Sequence, residues 1–68
     1  MKYYVLFQYD AFRTELPAER YGLYEDAVKR FHGLVEFFPD RSIYIIEVCF
    51  TSVTVVARHT SNQLPPMR

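Results

Sequence analysis

Between residues 42 and 60 the chain has no Gly, Pro, Asn or Asp, yet it is dense in Ile, Val, Tyr, Phe and Thr. β-branched and aromatic residues favour pleated backbone, and the favoured two-residue turns want Gly or Asn. Drawn out as one strand, the segment would reach about 60 Å, far beyond the usual 5–6 residues. Two solutions are open. The chain turns near Thr51-Ser52 into a hairpin with poor turn chemistry, or one long strand runs on, bent or bulged, and pairs its far half with another chain. Loop preference favours the hairpin.

The clearest periodic signal lies upstream. Over residues 23–38, Tyr24, Ala27, Val28, Phe31, Leu34, Val35 and Phe38 recur at helical spacing, and Glu25, Asp26, Lys29, Arg30, His32 and Glu36 fill the other face. Glu25 and Asp26 suit the first turn of a helix, and Glu25→Lys29 and Asp26→Arg30 are i,i+4 pairs in the favourable order. Pro39 stops the helix.

Residues 2–9 read as a strand closed by Asp10, and residues 11–16 alternate apolar and polar as a short antiparallel partner ended by Pro17. Residues 60–68, with Pro65-Pro66, predict a disordered or polyproline-like tail. The sequence therefore predicts one α+β domain over residues 1–59: an antiparallel sheet of three to four strands in β-β-α-β-β order, with one amphipathic helix packed on one face.

Size and charge bound the function. The chain has 68 residues, a formal net charge of +0 and 18% aromatic residues. A domain this small buries only about 60% of its unfolded surface, so self-association or a partner is the expected supplement. No stretch is long enough for a membrane helix, and the N-terminal residues do not read as a signal peptide. A single cysteine, Cys49, cannot form an internal disulfide and predicts a reducing, cytoplasmic setting.

Parity gives a candidate surface. Gln8 and Glu47 are the polar positions inside the two central strands. An unpaired carboxylate under a helix is costly, so the face bearing them is expected to stay open. That face holds Tyr4, Leu6, Ile43 and Ile45 around Gln8 and Glu47. Tyr3, Val5, Phe7, Tyr9, Tyr44, Ile46, Val48 and Phe50 would then lie under the helix. The candidate interface comprises Tyr4, Leu6, Gln8, Ile43, Ile45 and Glu47, with Val53 and Val55 added from the far strand.

Catalytic and metal chemistry find little purchase. His32, His59 and Cys49 share no ligand spacing, Cys49 reads as a small hydrophobe among apolar neighbours, and the acids are interleaved with bases. No metal, cofactor or enzymatic activity is expected. Sheet aromatics could stack unpaired bases of RNA or single-stranded DNA, but the balanced charge disfavours nucleic acid.

Tyr24-Glu25-Asp26-Ala27-Val28 opens the helix, and Phe38-Pro39-Asp40-Arg41 leads into Ile43-Tyr44-Ile45. This layout, over about half the chain, is similar to small phage-encoded proteins that bind and inhibit host enzymes, bacterial RNA polymerase among them. Several such inhibitors use a strongly charged patch, which this balanced chain lacks. The resemblance implies a non-enzymatic inhibitor of a host macromolecule and carries over no individual residue. Together the readings predict a small protein-interaction module, a homodimer with an unidentified protein partner. Single-stranded nucleic-acid binding is the alternative.

Overall fold

The structure, a computed structural model, describes residues 1–60. Strand β1 (Tyr3–Tyr9) is followed by β2 (Glu19–Tyr21), helix α1 (Tyr24–Phe37), β3 (Ser42–Val48) and β4 (Val53–His59). The four strands form one sheet in the order β2-β1-β3-β4, with every neighbouring pair antiparallel. This is the expected α+β fold. The expected tail lies outside the described residues, apart from Thr60.

Helix α1 forms where the 3.6-residue period is strongest. Ala27, Phe31 and Leu34 are buried, and Val28 and Val35 pack beside them. Leu23 precedes the helix in extended backbone without a side-chain cap. The acids of the first turn are its favourable N-terminal electrostatics. Phe38 N–H donates to Leu34 O at 2.7 Å, and Pro39 follows. Arg30 turns away from the expected partner Asp26. Its guanidinium grips Glu19 of β2 through Nε at 3.0 Å from Oε1 and Nη2 at 3.1 Å from Oε2, tying helix to sheet.

The hairpin reading of residues 42–59 is correct. Cys49 N–H donates to Ser52 O at 2.8 Å, leaving Phe50 and Thr51 as the loop. Neither has positive φ, so the turn is not one of the primed types that demand Gly or Asn. The pairing shifts between Ile45 and Ile46: Ile45 faces Ala57, and Ile46 faces Val55. Val56 is the extra residue of this bulge, and it packs against the core.

Two expectations are corrected. The strand partner of β1 is not residues 11–16 but Glu19–Tyr21, opposite Tyr4–Leu6. Asp10 explains the displacement. Its Oδ1 accepts the backbone N–H of Phe12 (2.8 Å) and Thr14 (2.9 Å), so residues 11–14 close into a turn, with Arg13 at φ 66. Only a bridge between Tyr9 and Glu15 remains of the expected strand. Pro17, with no N–H to give, delays full pairing.

The second correction concerns the faces. The helix covers the Gln8 side. Leu6, Ile43 and Ile45 are 0% exposed and form the core with Tyr4, Ala27, Phe31 and Leu34. The expected cost of burying polar groups on this side holds only where they lack partners, and both have them. Gln8 is 4% exposed, and its Oε1 accepts a hydrogen bond from Arg41 Nη1 at 2.8 Å. Glu47 sits at the half-open end of the same face, where it accepts from Tyr4 Oη at 3.1 Å and pairs with Lys2 at 3.7 Å. A satisfied polar group can be buried at little net cost.

Candidate functional site

Side chains alternate along a strand, and antiparallel partners share a face. With Tyr4, Leu6 and Gln8 under the helix, Tyr3, Val5, Phe7 and Tyr9 must point to the other side. Their partners Val48, Ile46, Tyr44 and Ser42 on β3 point the same way. Val53, Val55 and Arg58 continue the face across β4, and Arg20 of β2 lies opposite Val5. No helix or strand of the described residues packs on this surface.

The face has two ends of different chemistry. Val5, Ile46, Val48, Val53 and Val55 form an aliphatic end across three strands. Val53 and Val55 are 65% and 48% exposed on the edge strand. The aromatic end holds Phe7, Tyr9 and Tyr44. The Tyr9 and Tyr44 rings meet edge to face, with centroids 6.3 Å apart. These rings, with Arg13 and Ser42, line a recess of about 420 Å³. At the far end of β1, the Arg20 guanidinium stacks 3.9 Å above the Tyr3 ring.

Charge is balanced over the chain but not between its faces. On the helix side, Glu19 is held by Arg30, and Glu47 by Lys2 and Tyr4. The hydrogen bonds from Arg30 hold the Glu19 carboxyl below its ordinary range. Burial first, and the Glu47 acceptor second, push the Tyr4 hydroxyl above its own. On the helix-free side, Arg20 and Arg58 stand at strand positions and Arg13 at the recess, none with a carboxylate partner among the described residues. The one acid paired onto this face is Glu15, opposite Tyr9 at the rim.

The expected interface residues are therefore divided. Tyr4, Leu6, Gln8, Ile43 and Ile45 are core, and Glu47 lies on the helix side. Only Val53 and Val55 belong to the uncovered face. The residues missed are Val5, Phe7, Tyr9, Tyr44, Ile46 and Val48. One signal could have found the tyrosines among them: Tyr4 apart, β1 and β3 place Leu6, Ile43 and Ile45 on one side, and Tyr3, Tyr9 and Tyr44 on the other. Aliphatic side chains suit full burial, whereas tyrosine keeps a hydroxyl for water.

Among the described residues, no cluster of three or more His, Cys, Asp or Glu is placed to hold a metal ion. No helix among them is long and apolar enough to cross a membrane. Cys49 is a free, half-buried thiol at the base of the β3–β4 hairpin, with Sγ 3.7 Å from Glu47 Oε1. The chain matches no protein-family model, no curated protein and no solved structure.

Proposed function

We propose that the protein is a non-enzymatic interaction module whose helix-free sheet face docks the apolar surface of another protein, in the first instance a second copy of itself. One observation carries this reading: Val5, Ile46, Val48, Val53 and Val55 are contiguous across three strands and nothing in the described chain packs over them. Contiguous apolar patches on small proteins mark interaction sites. Packing two such faces at about 10 Å would build a sheet sandwich and supply the burial that a chain of this size lacks. Occupying a partner's surface in this way is also how a small inhibitor of the kind the chain resembles would act. The lone free thiol suits a reducing compartment such as the cytoplasm.

The test compares the wild type with Val55→Asp, which changes the exposed edge of the patch and not the core. Light scattering reads self-association, and affinity capture from cell extract reads other partners. The wild type is expected to dimerise or to retain a protein that the equally folded variant loses. A monomer that captures nothing beyond what Val55→Asp captures would overturn the reading.

A further inference from the structure

We propose a second site at the other end of the same face: the recess between Tyr9, Arg13, Ser42 and Tyr44 takes an unpaired nucleotide of a single-stranded nucleic acid, with Arg13 and Arg58 meeting the flanking phosphates. The site uses none of the aliphatic residues that carry the protein-docking reading. It shares only the uncovered face with that reading and is tested separately.

Three features converge on it. The recess, about 420 Å³, lies in the size range of small-ligand pockets and is walled by two tyrosine rings. Aromatic side chains on an uncovered sheet are the surfaces on which unpaired bases stack. Secondly, Arg13 is fixed at the recess by the turn that Asp10 organises. Its N–H donates to Asp10 O at 2.9 Å, and Asp10 Oδ1 holds Phe12 and Thr14 on either side. The loop is thus built before a ligand arrives.

Thirdly, the charge is sorted by face. Lys2 and Arg30 are neutralised on the helix side, and Arg41 is committed to Gln8 and to the Phe38 ring. Arg13, Arg20 and Arg58 have no carboxylate partner among the described residues and share the helix-free side. The formal balance of +0 conceals this separation. At the aromatic end, Phe7 pairs with Tyr44 and Tyr44 with Arg58, while Arg13 flanks the Tyr9 and Tyr44 rings at the recess, so two cations border the rings there. Rings bordered by cations are the complement of a base flanked by phosphates. An acidic peptide would satisfy the arginines but leave the rings without a planar partner.

The experiment is fluorescence anisotropy of labelled oligo-dT and oligo-U strands across a salt series, with a DNA duplex and poly-glutamate as competitors. The chain has no Trp, so tyrosine emission gives a second readout of stacking. The wild type is expected to bind single strands in preference to duplex and to poly-glutamate. Tyr9→Ala, verified as folded by circular dichroism, should weaken binding by about tenfold or more. Arg13→Ala and Arg58→Ala should each reduce the slope of log K against log salt by about 0.7. Lys29→Ala, on the helix, should leave that slope unchanged. Absence of binding at low salt would overturn the proposal. So would equal competition by poly-glutamate, or folded Tyr9→Ala and Arg13→Ala variants that bind like the wild type.

Discussion

Arg41 Nη1 donates to Gln8 Oε1 at 2.8 Å, and this contact lets a polar β1 residue lie buried on the helix side of the sheet. The Arg41 guanidinium is itself held 3.7 Å from the centre of the Phe38 ring, just past the end of α1. A loop residue thus supplies what the core position needs.

Arg41→Ala should leave Gln8 buried without this partner and cost about 1–3 kcal/mol. Gln8→Leu removes the polar group along with its need and should cost less. Urea denaturation of both variants checks the order. A Gln8→Leu variant less stable than Arg41→Ala would show that Gln8 is held for another reason.

Gly33 lies inside α1 with ordinary negative φ, and a Cβ built there meets nothing within 4 Å. Gly33→Ala should therefore stabilise the fold by about 1 kcal/mol through helix propensity alone. A thermal melt should show Tm rising by several degrees. A fall in Tm would reveal an approach to this helix face from outside the described residues.

Glu19 provides the pH dependence. Its folded-state pKa is lowered, chiefly by the hydrogen bonds from Arg30. A carboxylate of this kind stabilises the fold above its unfolded-state pKa, and the contribution is lost as pH falls through the lowered folded value. Both partners are partly exposed, with side-chain exposures of 49% for Arg30 and 29% for Glu19, so water screens the pair. Glu19→Gln should cost less than about 1 kcal/mol at neutral pH. Denaturation at neutral pH and again below pH ~3 should show the gap between variant and wild type closing in acid. A gap that persists in acid would mean that shape, not charge, carries the contribution.

Phe31 is the largest helix residue in the core. Phe31→Ala should cost about 3–5 kcal/mol, read from the urea midpoint. Near-native stability would contradict helix-on-sheet packing.

Most of the architecture was legible because periodicity is local. Seven apolar positions at helical spacing placed α1 within two residues of its observed ends, and the alternation in β1 and β3 sorted their side chains correctly into two sets. Which set faced the helix was not legible. That choice rested on Gln8 and Glu47, and their partners Arg41 and Lys2 lie far from them in the chain or at its start. Long-range satisfaction of a buried amide leaves no pattern in its own strand. The displaced β2 has the same kind of cause. Alternation at residues 11–16 suggested a strand, but the Asp10 carboxylate captured two N–H groups and turned that segment. The candidate site inherited the reversal of faces, so only Val53 and Val55 of the edge strand were placed where they are exposed.

Ile45 and Ile46 test the account most directly, because they are adjacent in β3 and point to opposite sides of the sheet. Ile45 is 0% exposed beneath the helix, whereas Ile46 is half-buried on the helix-free face opposite Val5 and Val55. The measurement is the urea midpoint of Ile45→Thr against Ile46→Thr, two chemically identical changes. Ile45→Thr should lose at least about 2 kcal/mol, through a lost core group and a buried hydroxyl. Ile46→Thr, measured at a concentration where the chain is monomeric, should lose clearly less. Equal losses, or a larger loss at Ile46, would contradict the assignment of the uncovered face and both binding readings built on it.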